Sequence, residues 1–153
     1  MSTYRASVDW KLAGDFAKHR YSRVHTIVFD EGLTVPGTSG PQIVNPRYGR
    51  PDAMDPEQAF VAALAACHML WFLDVAARAG FVAESYRDAA EGVLERGPEG
   101  KEMMTRVVLR PKVGFSGERQ PSAAELARLH HDAHEACFIA NSVKSEVVIE
   151  PVS

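Results

Sequence analysis

The stretch Asp55-Pro56-Glu57-Gln58-Ala59-Phe60-Val61-Ala62-Ala63-Leu64-Ala65-Ala66-Cys67-His68-Met69 reads as the start of a long buried helix. Asp55 suits the N-cap, because its carboxylate can accept an otherwise unpaired N–H of the first turn. Pro56 suits the first helical position, where a missing N–H costs nothing. Gln58, three residues after Asp55, completes a capping-box pattern. The spacing predicts a helix to about Ala79, with Gly80 as its stop. From Ala59 to Leu73 the helix is apolar nearly all round, and such a helix is expected to be buried on all sides. That takes either a thick core or a partner subunit, and the partner is the favoured reading. The same run is shorter than the roughly 20 residues that span a bilayer. It also contains His68 and is followed by Asp74, so a core helix is expected.

Working outward, Tyr4, Ala6, Val8, Trp10 and Leu12 alternate with polar residues, a period of two that predicts a strand with one buried face. Tyr21 to Phe29 is rich in β-branched and aromatic residues and predicts a second strand. Asp30-Glu31-Gly32 predicts a turn into a third, Leu33 to Val35. Residues 36–54 carry four prolines and three glycines without any period. A loop of that length in a compact domain is often functional, and this one carries Arg47 and Arg50. Beyond the helix, Ala89 to Arg96 and Met104 to Phe115 flank Gly97-Pro98-Glu99-Gly100 and predict a hairpin. Ser122 with Glu125 three residues on is a second capping box. It predicts a helix to about Ile139, closed by Asn141 in a left-handed conformation. Glu146 to Glu150 predicts a last strand. The order is three strands, helix, two strands, helix, strand. That order predicts a single α+β domain over residues 1–153 with helices layered on sheets.

The 153 residues are 46% hydrophobic and 24% charged, with a net charge of −3. No basic stripe or Lys/Arg run is present, which argues against a nucleic-acid partner and against a polybasic membrane anchor. The N-terminal residues lack the apolar region of a secretory signal, so the expected compartment is the cytosol. There, paired thiols are more often catalytic, sensing or metal-binding than structural.

Cys67 and Cys137 are the two cysteines. Each lies on a predicted helix among apolar residues, and folding could bring them face to face. Free cysteine is also a common core residue. A thiol in apolar surroundings is a weak nucleophile, because burial disfavours the thiolate. Cys67 lies too far from its helix N-terminus to gain from the dipole. Activation would need an arginine from elsewhere, and Arg47 and Arg50 are the two on the long loop. Glu57 lies about 15 Å along the helix from Cys67 and cannot touch it within that helix. It could hold an arginine that does, or serve only the helix dipole. His130, His134 and Cys137 share one helical face, which allows a metal reading with Cys67 as fourth ligand. A solvated histidine-rich face is the commoner meaning of that spacing. His68 points about 100° away from Cys67 and reads as a buried, hydrogen-bonded histidine.

Asp55-Pro56-Glu57-Gln58 through Ala65-Ala66-Cys67-His68, with Glu135-Ala136-Cys137 before a terminal Val147-Val148-Ile149 strand, resembles the OsmC/Ohr family. Those are the osmotically inducible and organic-hydroperoxide-resistance proteins. The resemblance covers essentially the whole chain in element order. It implies an OsmC-like two-layer fold in an intertwined homodimer, with two long central helices packed on β-sheets. It implies a thiol-dependent peroxidase that reduces organic hydroperoxides to alcohols and takes its electrons from an external dithiol, possibly of lipoyl type. Cys67 matches the peroxide-attacking cysteine and Cys137 the resolving one. Glu57 matches the glutamate that orients an activating arginine. Arg47 best matches that arginine, with Arg50 as rival; in the family, arginine and glutamate come from the other subunit. No metal, haem or flavin is implied. Apolar walls from Phe60, Leu64, Met69 and Phe138 would favour hydrophobic hydroperoxides. The alternative is a non-catalytic protein of the same fold that binds a small hydrophobic ligand or senses redox state.

Overall fold

Two helices and ten strands are present in the computed structural model, which describes residues 1–152. Ser153, the end of the expected 1–153 domain, lies outside the described residues. The chain divides into two compact units, with the boundary between Ala59 and Phe60.

The first unit holds β1 (Ala6–Asp9), β2 (Gly14–Asp15), β3 (Arg20–Tyr21), β4 (His25–Phe29) and β5 (Thr34–Gly37). β4 is central and antiparallel to both β1 and β5, with Ile27 opposite Val8 on one side and Val35 on the other. β2 and β3 form a small hairpin over which Phe16 and Tyr21 stack at 4.7 Å. The expected strand from Tyr21 to Phe29 is broken at residues 22–24. There the Arg23 N–H donates to Tyr48 O (2.7 Å) and the Val24 N–H to the Ser22 hydroxyl (3.1 Å), outside any ladder. Glu31 and Gly32 both take positive φ in the expected turn. The face of β1 expected to be buried is exposed within this unit, Val8 at 66%. The long loop is closed at its base, since Thr38 N–H donates to Met54 O and Met54 N–H to Pro36 O.

The first helix, α1 (Pro56–Arg78), starts and stops where the sequence says. The Gln58 N–H donates to Asp55 Oδ1 at 2.7 Å. At the other end Gly80 takes φ +79, its N–H donates to Ala77 O, and the Phe81 N–H donates to Ala76 O. That pair of bonds is a Schellman cap.

The second unit continues with β6 (Val82–Asp88), β7 (Glu91–Arg96), β8 (Glu102–Leu109), β9 (Pro111–Ser116), α2 (Ala123–Ala136) and β10 (Glu146–Ile149). β6 pairs antiparallel with β9. β7 and β8 form the expected hairpin, and β10 joins β8 in parallel. Each sheet covers part of a helix. Leu64 packs with Val107 and Leu109, backed by Val147 and Ile149, so the first part of α1 lies on the β7–β8–β10 sheet. Phe72 and Ala76 pack with Leu129 and Ala133, backed by Tyr86, Val113 and Phe115. The second part of α1 thus lies with α2 on the β6–β9 sheet. This is the expected α+β layering.

Five further points differ from expectation. β6 went unforeseen, and Met104–Phe115 is two strands in two sheets, broken at Arg110. Helix α2 stops at Ala136 with Cys137 as its C-cap at φ −69, so Cys137 lies just beyond the helix. Asn141 does not take positive φ; it lies in a short 3-10 turn, Ala140–Ser142. Finally, α1 is not buried on all sides within the chain. Its buried residues are Leu64, His68, Phe72 and Ala76, a single stripe, while Leu70 is 63% exposed. By length and composition alone α1 is also long and apolar enough to cross a membrane, although the Ala59–Leu73 run falls short.

Candidate functional site

Cys67 and Cys137 meet in the second unit. Both are free thiols, Cys67 half-buried and Cys137 at 1% exposure. The two side chains lie close enough for each thiol to act on the other. Helix α1 delivers Cys67 from within its length, and the C-cap of α2 delivers Cys137. Behind Cys137 the chain turns tightly, with Asn141 N–H donating to Cys137 O (3.0 Å) and Ala140 N–H donating to Cys137 Sγ (3.4 Å). Burial pushes the Cys137 thiol up to about 11, and the neighbouring Cys67 thiol pushes in the same direction. The Ala140 N–H partly offsets this. A buried thiol held up in this way keeps its proton at neutral pH.

Next to the pair, Trp71 and Phe138 meet edge to face at 5.3 Å. Phe138 is 67% exposed and Met69 half-buried. Leu64, expected as a wall of the site, is instead sealed in the core.

His68 and His130 are both buried, at 1% and 3% exposure. His68 Nε2 and His130 Nδ1 lie 3.1 Å apart, with the rings 9° from parallel. His130 also stacks on Phe72 at 4.3 Å. Burial is the first cause that lowers both imidazoles to about 4, and for His68 the neighbouring His130 and His134 add to it. The sequence reading missed this pairing. The signal was present: Leu126, Leu129, His130, Ala133 and Cys137 recur at helical spacing, so His130 falls on the apolar stripe of α2. Among the described residues no group of three or more His, Cys, Asp or Glu side chains is arranged to hold a metal.

Arg47, Arg50 and Glu57 belong to the first unit. Arg50 is held by Asp52, with Nε and Nη2 donating to its two carboxylate oxygens at 2.6 and 2.7 Å. That contact raises the guanidinium and lowers the Asp52 carboxyl. Arg47 is exposed on a 3-10 turn capped by Asn45, its guanidinium 5.7 Å from the Tyr48 ring. Among the described residues no carboxylate forms an ion pair with Arg47. Glu57 is half-buried in the first turn of α1 and is not paired with Arg47 within the chain.

The family model for OsmC-like proteins matches residues 49–152, which include both cysteines. The chain belongs to the OsmC-like family. An OsmC-like protein of unknown function from Vibrio cholerae is 46% identical. The match covers 99% of this chain and all of that one, with a TM-score of 0.97. The organic hydroperoxide resistance protein OhrB of Bacillus subtilis is 19% identical, with 99% and 98% covered and a TM-score of 0.70. An organic hydroperoxide resistance protein from Elizabethkingia anophelis is 18% identical, with 99% and 94% covered and a TM-score of 0.69. These last two share the fold with this OsmC-like chain. No curated protein matches its sequence.

Proposed function

We propose that this OsmC-like protein is a cysteine-based peroxidase that reduces organic hydroperoxides to alcohols. The observation that carries the reading is the meeting of the two free thiols, Cys67 half-buried and Cys137 buried. Two fold relatives bear the name organic hydroperoxide resistance protein, which supports the choice of substrate class.

Cys67 attacks as thiolate. A sulfur–oxygen bond forms, the peroxide O–O bond breaks, and the departing alkoxide takes a proton to become the alcohol. Cys67 is left as a sulfenic acid. The Cys137 sulfur then attacks the Cys67 sulfur, water leaves, and a disulfide closes. An external dithiol of lipoyl type restores both thiols by exchange, itself becoming a disulfide. A guanidinium beside Cys67 favours its thiolate by opposite charge. Arg47 fits that role better than Arg50, because Asp52 already neutralises Arg50. Glu57 orients Arg47. In this reading both come from the second copy of a cytoplasmic homodimer. No metal or organic cofactor, nucleic acid or membrane takes part.

The test is consumption of cumene hydroperoxide with dihydrolipoamide as reductant. The peroxidase reading predicts steady turnover that Cys67→Ser abolishes. Undiminished turnover in Cys67→Ser overturns the assignment, and no turnover in the wild type favours the binding or sensing alternative.

A further inference from the structure

We propose that the buried His68–His130 hydrogen bond is a positioning device that fixes the register of α1 against α2, so that Cys67 and Cys137 meet. It rests on the thiol pair of the proposed peroxidase, and it assigns a role to two residues outside the reacting atoms. His68 directly follows Cys67 on α1. His130 lies two turns before Cys137 on the same face of α2. The bridge therefore joins the two thiol-bearing segments, next to Cys67 in sequence and two turns from Cys137.

The rest of the contact sets this register less sharply. Phe72, Ala76, Leu129 and Ala133 supply apolar burial between α1 and α2. Apolar attraction is non-directional, and Ala76 and Ala133 are short side chains that add little resistance to a slide or a rotation. A hydrogen bond between two nearly parallel rings is directional, because the shared proton must lie between His68 Nε2 and His130 Nδ1. Nor is the pair there for stability. His68 Nδ1 and His130 Nε2, the outward nitrogens, are buried without a partner. A half-satisfied buried polar pair adds less than an apolar pair of the same shape. Polar groups kept in an apolar contact at such a cost act on register, as a single asparagine does in a coiled coil.

The test uses glutathione and no peroxide. The Cys67 and Cys137 thiols pass two electrons and two protons to glutathione disulfide, giving the protein disulfide and two glutathione thiols. The oxidised fraction is measured across glutathione ratios at pH 7.5 for the full chain, and the reduced form is titrated with urea. For the double variant His68→Leu, His130→Leu the expected result is a reduced form at least as stable as wild type. Its disulfide equilibrium constant should be about tenfold lower, the worth of one well-placed hydrogen bond. The variant His68→Gln, His130→Asn puts amide groups where Nε2 and Nδ1 stood, and should restore the wild-type constant. An unchanged constant in the leucine pair overturns the proposal, as does a Gln/Asn pair that falls equally far. Should the leucine pair not fold, His130→Leu against His130→Asn repeats the comparison, and equal constants overturn it. A wild type that forms no Cys67–Cys137 disulfide at any ratio overturns both this role and the peroxidase. One that forms it but spares hydroperoxide sinks only the peroxidase.

Discussion

Burial acts on the Cys137 thiol and on the His68 and His130 imidazoles in opposite directions, because it penalises whichever form is charged. The thiol keeps its proton and the imidazoles lose theirs. For the imidazoles this is a statement about stability. Both fall from the ordinary 6.5 to about 4 when the chain folds. Between those values the unfolded chain binds more protons than the folded one, so stability rises with pH. The cost is absent above pH 6.5 and grows as pH drops toward 4, reaching on the order of 3 kcal/mol for one such histidine. Urea midpoints should therefore fall between pH 7 and pH 5, and His68→Leu with His130→Leu should flatten that slope. A wild-type midpoint that does not move over this range contradicts the account. For the thiols, Cys137→Ser should react once with hydroperoxide and then stall or over-oxidise, seen by mass as a gain of oxygen on Cys67. Both cysteines were legible in the sequence because they stand on or beside capped helices. The histidine bridge was not, since spacing along one helix does not reveal which residue of another helix it meets.

At the level of elements, the ends of the helices are governed by local chemistry, and they were readable for that reason. The Ser122 hydroxyl accepts the Glu125 N–H at 3.2 Å, and the Glu125 carboxylate accepts the Ser122 N–H at 2.9 Å. Ser122→Ala should lower the urea stability by about 1 kcal/mol. Gly80→Ala should cost a similar amount, about 1 kcal/mol, because φ +79 is strained for any residue with a Cβ. Strand β6 was not readable. Its register slips between Ala83 and Ser85, so its half-buried residues Ala83 and Tyr86 stand three apart, and the period of two is lost. The break between β8 and β9 also escaped, because Pro111 opens a strand of a different sheet and the apolar pattern runs straight through it. The early stop of α2 has a simple cause: Cys137 leaves helical geometry to cap it.

At the scale of the whole molecule, the apolar surface of α1 exceeds what the chain covers. Only 22% of its most apolar window is buried, and Leu70 and Phe138 stand well exposed. Apolar surface of this kind marks an interaction site, and the homodimer of the proposed function would cover it. Sedimentation at micromolar concentration should give twice the 16.8 kDa chain mass, and Leu70→Asp should shift the population toward monomer. A wild type that sediments as a single chain contradicts the dimer.

The most direct measurement of all is a thiol count on the reduced protein before and after one equivalent of cumene hydroperoxide. The account predicts loss of both Cys67 and Cys137 thiols within minutes, one disulfide by mass, and full recovery with dihydrolipoamide. Two thiols still free after that exposure would contradict it.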